Sequence, residues 1–401
     1  MKKVIIIGGG ASGFFTAANI DTKLYDVTIL EQNSDVLQKV KISGGGRCNV
    51  SHACFDPREL VQFYPRGNKE LLSVFTKFQP GDTMNWYEEH GVALKIEDDN
   101  RIFPESNSSQ SIIDCLVNEC RKKNVKILTK QTVTDILPQE NGYKIHTTDQ
   151  NYFADYVVFS TGSSPKAFKI LEKLGHQIIA PVPSLFTFNI KNEILKDLMG
   201  TSFQYVNIEI PKLNLEESGS LLITHWGLSG PAVLKLSAWG ARELAALKYQ
   251  FEIIVNFIGT ASEDALEIFR NFKENEPKKS IGQAKIFDIT NRFWNRILLV
   301  SGIDTAKQLA NINNKEMQKI IENLCCCRMN VTGKSTFKEE FVTAGGVDLK
   351  EMDFKTMKSK KLPNFYISGE VLNIDAVTGG FNFQACWSEG WLIAQDLNAV
   401  N

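Results

Sequence analysis

The sequence predicts an α/β fold in which a parallel-sheet domain, built from both ends of the chain, is interrupted by an inserted β-rich (α+β) domain. Three observations carry this reading. "KKVIIIGGGASGFFTAANI" followed by "YDVTILEQ" reads as strand, glycine turn, helix and second strand. Between residues 186 and 340 the pattern changes to short alternating strands and charged helices, with no glycine fingerprint. "NFYISGEVLNIDAVTGGFNFQACWSEGWLIAQDL" then returns to strand–glycine–helix character.

Taken in order, Val4–Ile7 is an all-apolar run of the kind a strand buried on both faces needs, and the β-α-β unit that follows implies a parallel sheet with a crossover helix. From Asp56 to Arg121 the chain reads as mostly helical, broken by an apolar run at 92–96 and a turn-like "EDDNRIFPESNSS" at 97–109. "VKILTKQTVTDIL" and "GYKIHTTDQNYFADYVVFSTG" read as strands separated by Asn141-Gly142 and polar turns, the last ending in Ser160-Thr161-Gly162. "YVNIEI" and "YQFEIIVNFI" are strands of the insert, and "KENEPKKS" at 273–280 is an exposed turn. The expected domains are 1–185 with 341–401, and the insert 186–340.

Composition excludes some functions. Of 401 residues 43% are hydrophobic and 23% charged, which suits a chain with a sizeable core. The formal net charge of −1 offers no global attraction to nucleic acid or an anionic membrane. No run approaches the ~20 apolar residues that a spanning helix needs, and Met1–Ile7 is too short for a secretory core. Eight cysteines without such a core are expected to be reduced thiols in a cytoplasmic protein.

The chemistry begins at Gly8-x-Gly10-x-x-Gly13, which follows a strand and opens a helix, with Glu31 at the end of the next strand. Gly8 permits the tight turn, Gly10 leaves room for a pyrophosphate, and Gly13 lets the helix approach the sheet. The helix start offers free N–H groups, and Glu31 can accept from a ribose diol. The position of this fingerprint on the first strand, with no second copy, favours FAD as a resident cofactor. Thr161 and Gly162, closing the third strand, fit the turn that covers such a dinucleotide. Near the C-terminus Glu370, after Gly369, is placed to bond a flavin side chain. Gly379 and Gly380 lead into a helix starting near Asn382, whose N-terminus would stabilise an anionic reduced ring.

"KISGGGRCNVSH" at 41–52 admits a nucleophile, a metal or a cofactor loop. Cys48 and His52 find no third ligand close in sequence, and no orienting base for a nucleophile is evident. Beside FAD, Gly44, Gly45 and Gly46 become backbone laid against the dinucleotide. Arg47 is then a candidate for pyrophosphate or flavin O2 charge, and Asn49 a polar contact. Cys48 is open between packing, a flavin contact and a redox-active thiol.

These blocks, with "RIFPES", "PSL", "THWGLSGPAVLKLSAW" and "VTAGGVDLKEMDFKTMKSKKLPNFYISGEVLNIDAVTGGFNFQACWSEG", resemble the bacterial BaiN-like flavoprotein family nearly end to end. The resemblance implies an FAD-dependent oxidoreductase with one FAD per chain. It also implies a glutathione-reductase-like, discontinuous FAD-binding Rossmann domain with an inserted β-rich domain. It places Ala11, Ser12, Glu31, Arg47, Cys48, Gly369, Glu370, Asn382, Phe383 and Gln384 near FAD. The expected reaction passes a hydride between a small organic substrate and flavin N5, with NAD(P)H or dioxygen as second partner. An FAD-dependent nucleic-acid (tRNA) modifying protein and a non-catalytic flavin-binding scaffold are the alternatives. No nucleic acid, membrane or metal partner is expected. No catalytic residue is assigned; Cys48 and His225 are the candidates.

Other features have plainer readings. Cys325-Cys326-Cys327 reads as buried apolar filler at a helix end, because adjacent side chains diverge too far to chelate one ion. Cys115 and Cys120 read as core. His225 and Trp226 read either as pocket residues or as structure, with Ser229 a helix cap before Pro231. His176 reads as a turn residue with no partner implied, and His90 and His146 likewise. Lys355, Lys358, Lys360 and Lys361 read as a solvated hairpin.

Overall fold

A computed structural model describes residues 1–335 and 342–399. It divides into two compact units, Met1–Val182 with Lys338–Asn401, and Pro183–Phe337.

The first unit is organised by a seven-stranded sheet. Five strands run parallel side by side: Phe365–Ile367, Tyr156–Phe159, Lys2–Ile7, Tyr25–Leu30 and Lys126–Leu128. A short antiparallel hairpin, Met352–Asp353 with Lys358–Ser359, extends one edge. Val4–Ile7 is buried throughout, as expected for a strand covered on both faces. In register, Ile7 lies beside both Phe159 and Leu30, so three strands end level. The helix Ala11–Asn19 crosses the sheet, and Gly13 makes that approach possible. A Cβ there would sit 2.2 Å from the Gly8 carbonyl oxygen. The last helix, Phe381–Ala399, packs against it; the Tyr25 hydroxyl donates to Leu397 O at 2.7 Å and Asp21 N to Asn398 Oδ1 at 2.8 Å.

The unit also contains two smaller three-stranded sheets. One joins Val133–Gln139, Gly142–Thr147 and Asn151–Ala154. The other joins Ser51–His52, Arg101–Pro104 and Leu94–Ile96. The turn-like reading of 97–109 is therefore corrected: Arg101–Pro104 is a strand. It is too short for a periodic signal, and Ile102 and Phe103 bury adjacent apolar side chains instead of alternating.

The second unit is a closed six-stranded antiparallel barrel carrying helices. Its core includes Phe188, Ile208, Ile253, Val255 and Leu236. Asn314–Cys325 shows how sequence dictates such a helix. Asn313 and Glu316 form a reciprocal capping box, and Met317, Ile320, Ile321 and Leu324 recur on one buried face. The cysteine run straddles its end: Cys325 closes the helix, Cys326 caps it exposed, and Cys327 opens a strand. Cys326 is thus not buried filler. Ser229 is also no cap: it ends the strand Gly227–Ser229, and Gly230 precedes the helix Pro231–Trp239. His225 is exposed at 4.0 Å from the Trp226 ring, whose Nε1 donates to Thr187 Oγ1 at 3.0 Å.

In the first unit, His176 is buried and has partners. Its Nδ1 lies 2.7 Å from Glu351 Oε2 and its Nε2 3.0 Å from Ser359 Oγ. The lysine hairpin is correspondingly tied down. Lys361 Nζ reaches Glu351 at 2.6 Å, Lys358 Nζ reaches Asp396 at 2.6 Å, and Lys360 Nζ donates to Lys350 O at 2.9 Å.

Candidate functional site

Level strand ends create the first part of the site. Gly8, Glu31 and Ser160 each leave one of three adjacent strands, and an open, shallow cleft lies there, lined by Gly8, Glu31, Gln131, Thr161 and Lys166 among others. The helix Ala11–Asn19 starts at Gly10 with no side-chain cap and no acid in its first turn. Its leading N–H groups, which have no intrahelical partner, remain for a ligand. Among the described residues, a Cβ on Gly10 would meet nothing within 4 Å, so they leave open space over this turn. Glu31 shapes the turn itself. Oε2 accepts from Gly9 N at 2.8 Å, while Oε1 accepts from Asn33 N and Nδ2 at 2.8 Å each.

The C-terminal strand brings its acid to the same edge. Ser12 Oγ donates to Ser368 Oγ at 2.7 Å, joining the first helix to the turn that carries Gly369 and Glu370. Glu370 accepts from Thr343 N at 3.0 Å and forms an ion pair with Lys39. A Cβ on Gly162 would be 3.9 Å from Glu370 Oε2, so the turns after Tyr156–Phe159 and Phe365–Ile367 approach each other. Beneath them Glu389, fully buried, accepts from Gly369 N at 2.5 Å.

The segment 41–52 builds the second part. The helix Gln38–Gly46 breaks at Ser43, and Gly44, Gly45 and Gly46 follow at φ 57°, 68° and 85°. Among the described residues, a Cβ on Gly45 or Gly46 would meet nothing within 4 Å. Arg47 is committed elsewhere: its Nη1 donates to Glu97 Oε1 at 2.6 Å and its guanidinium lies 3.9 Å over Phe103. Cys48 is fully buried, and burial pushes its thiol up to about 12. A protonated, solvent-shielded thiol is a poor nucleophile, so of its three readings packing fits best.

Opposite this loop begins the helix Phe381–Ala399. Gly379 and Gly380 lead into it at φ 138° and 95°. His52 Nδ1 lies 3.1 Å from Gly379 O, and its ring is 4.5 Å from Phe381, which stacks on Phe63 at 4.3 Å. Two expected contacts turn inward. Asn382 uses both side-chain groups on Ala376, at 3.0 and 3.2 Å. Gln384 is fully buried, accepting from Ser51 Oγ at 2.6 Å and Thr83 Oγ1 at 3.0 Å and donating to Ser388 Oγ at 2.9 Å. Phe383 stacks on Trp387 at 5.6 Å.

Several residues here escaped sequence reasoning. Lys39, Glu97 and Glu389 carry no motif. Nor does the ion pair of Arg66 with fully buried Asp375, which fixes the segment that Asn382 grips. Each acts through a partner far away in the chain, and one sequence holds no signal for that.

The chain matches, over residues 2–396, the family described as HI0933-like protein Rossmann domain. It belongs to that family. Membership bears out the resemblance to the BaiN-like flavoproteins, and with it the expectation of an FAD-dependent oxidoreductase. The HI0933-like chain is 29% identical to the ribosomal RNA dihydrouridine synthase of Escherichia coli (strain K12), covering 99% of this chain and 98% of the relative. It is 26% identical to the 3-dehydro-bile acid delta(4,6)-reductase of Clostridium scindens, covering 98% of each. Among solved structures it resembles the open conformation of a flavocytochrome c3 fumarate reductase, with TM-score 0.52 and 13% identity, over 100% of this chain and 79% of the other. That likeness speaks to the fold. Among the described residues of the HI0933-like chain, the uncapped helix start, the open space at Gly10, Gly45 and Gly46, and a buried unpaired oxygen on Asn49 are features that suit an extended dinucleotide.

Proposed function

We propose that this protein is an FAD-dependent reductase that saturates a C=C bond conjugated to a carbonyl, using NADH or NADPH as electron source. The carrying observation is the pair of ligand-ready helix starts in one unit. Ala11–Asn19 stands beside Glu31 and its cleft, and Phe381–Ala399 starts after Gly380, which lies against Asn49 and Ser51. Bound FAD would supply a hydride donor at N5, which no side chain can provide.

The chain's own residues bind, orient and shield. The N–H groups at Ala11 would hold the pyrophosphate, and Glu31 the ribose next to it. Glu370, held by Thr343 N and Lys39, stands where the two halves of the dinucleotide would meet. The partial positive charge of the long C-terminal helix favours an electron-rich ring edge. Phe63, Phe381 and His52 form an apolar and aromatic wall that limits water near it.

The two named relatives support the reaction class, since both names describe adding hydrogen to a C=C bond in a ring that bears a carbonyl. In the first reading the substrate is a small enone. Ribosomal RNA is a second reading, favoured by the relative at 29% identity over essentially the whole chain. A formal net charge of −1 gives RNA no global attraction, so that reading needs a local basic surface.

The test is anaerobic. NADH or NADPH should bleach the flavin absorbance of the purified yellow protein, and an added enone or uridine-containing ribosomal RNA should restore it. Mass spectrometry of the RNA for dihydrouridine separates the two readings. A colourless protein that takes up no FAD overturns the cofactor, and bleaching by amines but by neither nicotinamide overturns the reductase in favour of an oxidase.

A further inference from the structure

Glu389 is a buried acid that the proposed reaction does not use. It lies fully buried in the helix Phe381–Ala399, and one oxygen accepts from Gly369 N at 2.5 Å. The other oxygen is buried and meets no partner among the described residues. A carboxylate shut away from water with one N–H donor and no cation is costly, so the group is held as the neutral acid. Positive side chains around the site are committed elsewhere: Lys39 to Glu370, Arg66 to Asp375 and Arg47 to Glu97. The other titratable groups facing Glu389 are Cys386 on its own helix and Tyr64. Burial pushes both up from ordinary values of 9 and 10, so both stay neutral through pH 8. Ser12 and Thr16, on the helix packed against it, do not titrate.

The position of Glu389 ties its proton to the glycine turn. Gly390, the next residue, lies against the first helix: a Cβ there would stand 2.9 Å from Ser12 O and 3.1 Å from Thr16 N. Gly369, which donates to Glu389, also lies against Ser12, where its Cβ would stand 3.5 Å from Ser12 Cβ. Ser12 Oγ in turn donates to Ser368 Oγ at 2.7 Å. By both routes Glu389 reaches the helix start proposed to hold the pyrophosphate. A charged Glu389 would oppose the two negative charges of that group across an interior that screens poorly, and a neutral one does not. We infer that Glu389 is a proton site linked to dinucleotide binding, protonated when the diphosphate is bound and weakening its hold when ionised. The balance is one proton. Where the free protein carries ionised Glu389, binding takes up one proton from solvent, and release returns it. The inference rests on the proposed FAD site, and needs only its diphosphate.

The test follows FAD binding to apoprotein by flavin fluorescence at pH 7 and pH 9, with ADP as a second probe that carries the diphosphate without the flavin. Wild-type affinity should fall about tenfold between the two, as a group titrating at about 8 in the free protein requires. Calorimetry at pH 9 in two buffers of different ionisation heat should show close to one proton taken up per FAD. Glu389→Gln should bind with less than about a twofold change across this range and take up no proton. Glu389→Asp keeps a titrating carboxyl and should keep the slope, so a flat profile in Glu389→Gln alone is not a folding defect. Equal wild-type affinity at both pH values overturns the inference, as does a Glu389→Gln protein that keeps the slope. Binding of ADP with the slope but not of FAD overturns the proposed cofactor and leaves the proton link standing. Binding of neither overturns both.

Discussion

Glu389 accepts a hydrogen bond from the backbone N–H of Gly369 at 2.5 Å, with its carboxyl wholly out of solvent and its second oxygen unpaired among the described residues. Burial pushes this carboxyl from its ordinary 4.5 up to about 8, and the Gly369 N–H only partly opposes it. The folded protein therefore holds a proton there that the unfolded chain releases at neutral pH.

The stability contributed by that proton is complete below pH 4.5 and is lost as pH rises towards about 8. Glu389→Gln keeps an acceptor for Gly369 without a group that titrates. Urea midpoints at pH 5 and pH 9 should differ less in the variant than in wild type, by on the order of a few kcal/mol in unfolding free energy. Parallel losses in both proteins would count against a neutral Glu389.

His176 has the opposite slope. Burial lowers its pKa below 6.5 against the pull of Glu351, and Lys361 acts in the same direction as burial. Stability present above pH 6.5 is thus lost as pH falls through the lowered value. Burial raises Glu351, but bonds from Lys361 and His176 outweigh it and leave it below 4.5, which extends the loss to lower pH. His176→Phe should cost about 1–3 kcal/mol at pH 7 by leaving Ser359 and Glu351 short of a partner. Its melting temperature should also respond less to a step from pH 7 to pH 5.5 than that of wild type.

Glu31 joins Gly9 to Asn33 by three bonds at 2.8 Å and stands at the cleft. Glu31→Ala should weaken FAD retention by at least about tenfold, a loss of roughly 1.4 kcal/mol. Gel filtration with flavin absorbance reads this directly, and unchanged flavin content would remove Glu31 from the cofactor site.

Among the cysteines, exposure decides reactivity more than sequence context does. Cys326 is exposed, whereas Cys48 and Cys120 are buried with thiols pushed up to about 12. Brief iodoacetamide treatment of native protein at pH 8, read by peptide mass spectrometry, should mark Cys326 and spare Cys48. Rapid labelling of Cys48 would return it to the list of redox candidates.

What could be read in advance follows the range of the interactions. Val4–Ile7, the turn at Gly8–Gly10 and the helix behind it are dictated by neighbours a few residues apart, so one sequence displays them. Arg101–Pro104 reads as a turn in the sequence because four residues show no period and two adjacent side chains are buried. The glycines at 44–46 could be read as a loop, but not the capture of Arg47 by Glu97 and Phe103. Asn49 with Gly380, Arg66 with Asp375 and His176 with Glu351 are meetings of distant segments. Residue type marks such side chains as capable of chemistry, and only the fold says which of them meet.

The strand Phe365–Ile367 adds to the sheet beside Tyr156–Phe159, and the last helix covers Ala11–Asn19. During synthesis on the ribosome, Phe159 emerges roughly 10–40 s before Phe365 at ordinary elongation rates. For that interval the nascent chain carries an unpaired apolar strand edge and an uncovered helix face. The time of greatest aggregation hazard is therefore set by the length of the insert, and a premature stop before residue 365 leaves that hazard permanent.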